Sequence, residues 1–145
     1  MSPFRPARHH EESESYGVSA HVWGMDSPRA VVEEFFDRME DDRRETVGEL
    51  FTEDAVVTLP GATFEGPTAA TEFLDFLAPR YEWAGKEFDR WIEAGETVVS
   101  IGTLYGVDND GDEFHGVRYV DVYEVEGDKI RRLDIWNDLA VEGVV

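Results

Sequence analysis

Gly48-Glu-Leu-Phe-Thr-Glu-Asp-Ala-Val-Val-Thr-Leu-Pro-Gly61 is the stretch whose reading decides the fold. It begins as the end of an amphipathic helix, with Val47, Leu50 and Phe51 on one face, and passes through an acidic turn, Thr52-Glu53-Asp54. A short strand, Ala55 to Leu59, follows and breaks at Pro60-Gly61. Downstream, Gly66-Pro67 opens a helix that runs to Pro79 and turns Ala69, Ala70, Phe73, Leu74 and Leu77 inward. Upstream, Ser27 caps a helix whose first position is Pro28, where a missing N–H costs nothing. Val31, Val32, Phe35, Phe36 and Met39 recur on one face of that helix.

From Tyr81 the pattern changes from helical to alternating. Tyr81 to Glu93 and Glu96 to Val107 read as two long strands joined at Ala94-Gly95. Phe114 to Val125 and Lys129 to Asn137 form a last hairpin around Glu126-Gly127-Asp128. Three helices ahead of an antiparallel meander define an α+β domain, with the helices covering one face of a curved sheet. Residues 1–24 mix prolines, His9-His10 and Glu11-Glu-Ser-Glu-Ser15 without an apolar period, and read as a disordered tail ahead of a domain spanning 25–145. Met25 is a second candidate start.

Together with Tyr119-Val-Asp-Val-Tyr-Glu-Val-Glu-Gly-Asp-Lys-Ile-Arg-Arg-Leu-Asp-Ile-Trp-Asn-Asp138, these elements resemble the nuclear transport factor 2-like superfamily, in its SnoaL-like and ketosteroid-isomerase-like branch, over Ser27 to Leu139. The resemblance implies that the sheet curls into a cone-shaped barrel whose mouth holds a small ligand. It also implies a homodimer paired through the outer face of the sheet.

Thirty-three acidic residues against 13 basic ones give a net charge of −20. All but three of the acids lie from Asp26 onward, so the charge belongs to the domain. Such a field repels nucleic acid and anionic membranes, and neither is an expected partner. Only Lys86 and Lys129 are lysines; the other eleven cations are arginines, a balance that resembles halophilic surfaces. No apolar run approaches the ~20 residues that cross a bilayer, and no apolar signal core opens the chain, so a cytoplasmic location is expected. The absence of cysteine excludes disulfides, thiol catalysis and cysteine-bound zinc.

Asp108-Asn-Asp-Gly-Asp112 has the look of a calcium loop, but the sixth and twelfth positions are Glu113 and Tyr119 where glycine and glutamate are needed. It reads as a hairpin turn, and no metal is expected. Asp121 stands out on the strand face His115, Val117, Tyr119, Asp121, Tyr123, Val125 as a lone carboxylate among tyrosines and valines. It is either a functional group or an aspartate bonded to a tyrosine hydroxyl or backbone N–H groups. The resemblance places it where steroid isomerases keep a protonated aspartate that donates to an oxyanion. The resemblance also implies an acid or base role for Asp138, after Trp136-Asn137, by similarity to the limonene-epoxide-hydrolase-like branch; a strand-end cap is the alternative. The positions of the isomerase's second oxyanion donor and of its base hold Phe35 and Leu59, so steroid isomerisation by that constellation is not expected.

The expected site is therefore Asp138 and Asp121 as catalytic groups, with Tyr119, His115, Phe35, Leu59, Trp136 and Tyr123 around the substrate. Expected chemistry is cofactor-free proton transfer of isomerase, cyclase, dehydratase or hydrolase type on a small apolar or carbonyl-bearing metabolite. The alternative is a ligand-binding or accessory dimerisation module without turnover.

Overall fold

The computed structural model describes residues 27–40 and 43–145. The expected tail over 1–24, with His9-His10 and the boundary at Met25, lies outside the described residues. Helix α1 (Pro28–Glu40) starts as its sequence dictates: the Ala30 N–H donates to Ser27 Oγ at 3.2 Å, closing the N-cap. Its buried stripe is Val31, Val32, Phe35, Phe36 and Met39.

The expected second helix is a 3-10 helix, Arg44–Leu50. Thr46, Val47 and Gly48 weaken the α form, and three residues per turn suits a segment that buries Val47 and Leu50 three apart. Phe51 has already left it and opens strand β1 (Phe51–Leu59). The expected acidic turn is a bulge in that strand. Between Phe51 and Val56, five steps along β1 match two along its neighbour, from Ile130 to Arg132. Thr52 to Asp54 lie in the bulge, with Thr52 half-buried and Glu53 and Asp54 facing water, while Ala55 and Val57 stay buried.

Strand β2 (Ala62–Glu65) has no counterpart in the sequence reading, since four residues give too short a run for an alternation signal. It pairs with β1 across Pro60-Gly61. Helix α2 (Ala69–Leu77) then precedes the long strands β3 (Trp83–Ala94), β4 (Thr97–Val107), β5 (Glu113–Glu126) and β6 (Lys129–Asn137).

The six strands form one sheet in the order β2-β1-β6-β5-β4-β3. All neighbours are antiparallel except β1 and β6, which run parallel. In place of a closed barrel there is an open, curved sheet with β2 and β3 as its edges. The helices cover one face. Phe36 anchors α1 to that face, with its ring 5.4 Å from Phe88, 5.8 Å from Trp91 and 5.9 Å from Tyr123. Edge-to-face and tilted contacts of this kind add ~0.5–1.5 kcal/mol each beyond area burial. A second, smaller cluster of Leu104, Val117, Tyr119 and Leu139 closes the other end of the covered face.

Candidate functional site

Between the helices and the sheet lies a cavity of about 350 Å³. Its walls are mostly apolar, with Phe35 and Phe36 from α1, Leu59 from β1, Phe73 from α2 and Ile135 from β6. Strand period two decides what else enters. On β5, Val117, Tyr119, Asp121, Tyr123 and Val125 are all buried and share the inner face. Asp121 is 2% exposed, the single buried carboxylate among the described residues.

Asp121 does not stand alone. Lys86 Nζ lies 3.3 Å from Asp121 Oδ2, and the Tyr123 hydroxyl donates to the same oxygen at 3.5 Å. Asp121 Oδ1 is buried and has no hydrogen-bond partner among the described residues. Lys86 stands on β3 and Asp121 on β5, so the pair spans β4. The inward positions of β4 that face Asp121 and Tyr119 are Ser100 and Gly102, both small. A Cβ on Gly102 would run into the Glu87 carbonyl oxygen and come within 3.0 Å of the Tyr119 ring, so only glycine fits there. Tyr119 lies across that gap, its hydroxyl 2.9 Å from Ser100 Oγ. The Lys86 ammonium sits 4.3 Å from the centroid of the Tyr119 ring and 5.5 Å from that of Phe36.

The electrostatics follow from burial. Removal from water pushes the Asp121 carboxyl above the usual aspartate range, while Lys86 and the Tyr123 hydroxyl pull it partly back. Burial likewise raises the Tyr123 and Tyr119 hydroxyls, each raised further by the Asp121 charge. Tyr81, at the cavity wall, is pushed up to about 12, chiefly by burial. All three tyrosines are therefore hydrogen-bond donors at neutral pH.

The remaining expected residues divide. Tyr119, Tyr123, Phe35 and Leu59 line the cavity with Asp121. Asp138, Trp136 and His115 do not. On β6 the inward positions are Leu133, Ile135 and Asn137, which puts Trp136 and Asp138 on the opposite parity. Asp138 accepts a bond from Arg118 Nε at 2.7 Å in a shallow outer groove of about 690 Å³, and Trp136 is 55% exposed beside it. The expectation that Asp138 faces Asp121 across one cavity is thus corrected. His115 is turned away by a bulge: His115 and Gly116 together oppose Tyr105, and Gly116 takes φ +70°. The odd-numbered inner face of β5 therefore ends at Val117.

Sequence reasoning missed Lys86 and Asn137. The signal for Lys86 was present, because Ala84, Lys86 and Phe88 alternate toward the core and lysine is scarce in this chain. At the β4–β5 turn, Asp108, Asp110 and Asp112 bring carboxylate oxygens within 4.8 Å of one another. Asp108 Oδ1 accepts from the backbone N–H groups of Asp110 and Asp112 at 2.9 Å, which explains the cluster as turn chemistry.

The profile of the SnoaL-like domain family matches residues 32–133, and the chain belongs to that family. Several solved structures share the fold. TerC, co-crystallised with polyporic acid, superposes with a TM-score of 0.71 at 17% identity, over 81% of this chain and 96% of that one. A nuclear transport factor 2-like protein of unknown function from Burkholderia pseudomallei K96243 gives 0.72 at 20% identity, over 81% and 95%. A candidate SnoaL-like polyketide cyclase from Jannaschia sp. CCS1 gives 0.69 at 19%, over 81% and 90%. No curated protein matches the chain in sequence. Among the described residues, no helix is long and apolar enough to cross a membrane.

Proposed function

We propose that the cavity binds a small, largely apolar metabolite bearing a carbonyl or enol group, and that Asp121 moves a proton on it without an organic cofactor or metal. One observation carries this reading: Asp121 Oδ1 is buried at the cavity wall with no hydrogen-bond partner among the described residues, while Oδ2 holds Lys86 and Tyr123. A buried polar atom left unpaired costs ~1–3 kcal/mol, and a ligand group at that oxygen recovers it. Burial raises the carboxyl above the ordinary aspartate range, so the acid form that can donate a proton costs less here than in water. The likeness to TerC and to a candidate polyketide cyclase supports an oxygenated cyclic metabolite as ligand.

Binding without turnover is favoured by a separate observation. Asp138 and His115, the other proton-transfer candidates, lie outside the cavity, and of the carboxylates that line it, Asp75, Glu82 and Asp121, Asp121 alone is buried among the described residues. Native mass spectrometry of the purified protein, alone and with polyporic acid as first probe, separates the readings. A retained or added compound that wild type converts and Asp121→Asn binds without converting supports catalysis. Equal conversion by Asp121→Asn removes Asp121 from the chemistry, and binding with no conversion by wild type leaves the binding module.

We also infer a homodimer through the outer sheet face. Trp136 and Ile92, 55% and 45% exposed, support it as large apolar side chains that water covers poorly. Sedimentation velocity of wild type and Trp136→Glu tests it: a dimer that the substitution dissociates is expected, and a monomeric wild type overturns it.

A further inference from the structure

We propose that Lys86 is an amine nucleophile: the cavity condenses Lys86 Nζ with the aldehyde or ketone of its ligand, and Asp121 accepts and returns the protons of that step. This rests on the reading of the cavity as a site for a carbonyl-bearing metabolite. Three features of the chain point to it.

The first is choice of cation. Eleven of 13 basic residues are arginines, and of the two lysines Lys129 lies at the β5–β6 hairpin, donating to the Glu49 carbonyl at 2.6 Å. Two cations line the cavity, Arg44 and Lys86, and the one that reaches Asp121 is the lysine. A guanidinium keeps its proton and its charge, whereas an amine that yields its proton acquires a nucleophilic lone pair. The second is environment. The Lys86 side chain is 12% exposed, with Nζ 4.3 Å from the centroid of the Tyr119 ring and 5.5 Å from that of Phe36, so a ligand in the cavity meets the amine away from bulk water. The third is the proton acceptor. Asp121 Oδ2 is 3.3 Å away, and transfer of one proton turns a buried ion pair into a neutral amine and a neutral acid. Burial of Asp121 favours that acid form.

The step balances with water as its only by-product. The amine lone pair forms a C–N bond to the carbonyl carbon as the C=O π pair moves to oxygen, and the Asp121 acid protonates that oxygen. The nitrogen returns a proton to Asp121, which passes it to the hydroxyl as the C–O bond breaks. Water leaves, giving an iminium on Nζ beside an ionised Asp121. The iminium carries its charge where the ammonium did, so the same carboxylate and Tyr119 face stabilise it. The ionised Asp121 can then take a proton from the neighbouring carbon, whose C–H pair moves into the C–C bond as the C=N π pair returns to nitrogen, giving a neutral enamine and the Asp121 acid.

A 1,3-diketone, acetylacetone, tests this on the full chain, because it condenses with a neutral amine to a stable, near-UV-absorbing enaminone. Peptide mapping is expected to find one diketone less one water on Lys86, formed at least about tenfold faster than on Lys129 or the α-amine. Lys86→Arg, which keeps the charge, and Lys86→Met are both expected to lose that adduct, and Asp121→Asn to slow it. Ligand-observed NMR with Lys86→Arg reports occupancy independently of reaction. Diketone that binds without labelling Lys86, or labels it no faster than Lys129, overturns the nucleophile and leaves the small-molecule reading standing. Neither binding nor label overturns both.

Discussion

Two ion pairs on one sheet show how little distance says by itself. Strand β5 supplies one residue to each: Asp121 to the inner pair with Lys86, and Arg118 to the outer pair with Asp138. The outer pair is the shorter, 2.7 Å against 3.3 Å, yet Arg118 is 81% exposed and water screens it. The inner pair has lost its water, so each charge depends on the other and on the few polar groups in reach. Three residues along one strand, an odd step, separate the two environments. Reactivity follows the side of the sheet and not the contact length.

The largest effect should come from breaking the inner pair. Asp121→Ala leaves the Lys86 ammonium without its carboxylate, and loss of one partner of a buried pair costs ~3–5 kcal/mol. Chemical denaturation measures it. The double variant Lys86→Met/Asp121→Leu should recover most of that loss, since well-packed apolar groups replace such pairs at little cost. If the double variant is as unstable as the single one, the residues matter for packing and the charge coupling is minor.

A pH effect should come next. The folded state raises the Asp121 carboxyl above its unfolded value, so between the two values the folded chain holds a proton that the unfolded chain has released. Stability from this group is therefore present at low pH and falls as pH rises, across a window that opens near an ordinary aspartate, ~3.9, and extends upward. Asp121→Asn should remove that slope, and Lys86→Met should extend the window to higher pH by deleting the charge that pulls the carboxyl down. Thermal melts across the window, wild type against variants, read the difference. An unchanged slope in Asp121→Asn would assign the pH dependence to other carboxylates.

Much of the fold was legible in advance, and three of the failures share a cause. The apolar face of α1 and the boundaries of the long strands follow from period 3.6 or period 2, which hold while the backbone is regular; period 2 puts Asp121 on one face with Tyr119 and Tyr123, and the family resemblance turns that face inward. Those three failures lie where regularity ends. The bulge after Phe51 disguised a strand as a turn, the bulge at His115-Gly116 reversed a side chain, and β2 is too short to show a period. Asp138 owes its place in the expected site to its position in related enzymes, although alternation along β6 aims Asn137 inward in its place. Lys86 was in plain view, but pairing across an intervening strand is a property of topology, which no local pattern encodes.

A third effect belongs to the whole outer surface. With a net charge of −20, the folded chain repels itself, and screening contracts to ~3 Å at 1 M salt. The melting temperature should rise from low to molar potassium chloride, and Asp121→Ala should gain as much as wild type, because its lost contact is shielded from the solution. A melting temperature that stays flat or falls would mean that favourable surface pairs outweigh the net repulsion.

The smallest effect should fall on Asp138. Its carboxylate meets Arg118 in open solvent, where the gain in Coulomb energy is offset by side-chain ordering and screened by salt. Asp138→Asn keeps the shape of the acceptor and removes only charge, so its melting temperature should match that of wild type at any ionic strength, and turnover of a substrate found by mass spectrometry should be unchanged. The Asp138 N–H bond to the Arg118 carbonyl, 3.0 Å, is a backbone contact that survives the substitution and keeps the strand end in place. Loss of activity in Asp138→Asn with the fold intact would break the contrast between the two faces, for it would mean that the outer groove, and not the cavity around Lys86 and Asp121, holds the reacting group.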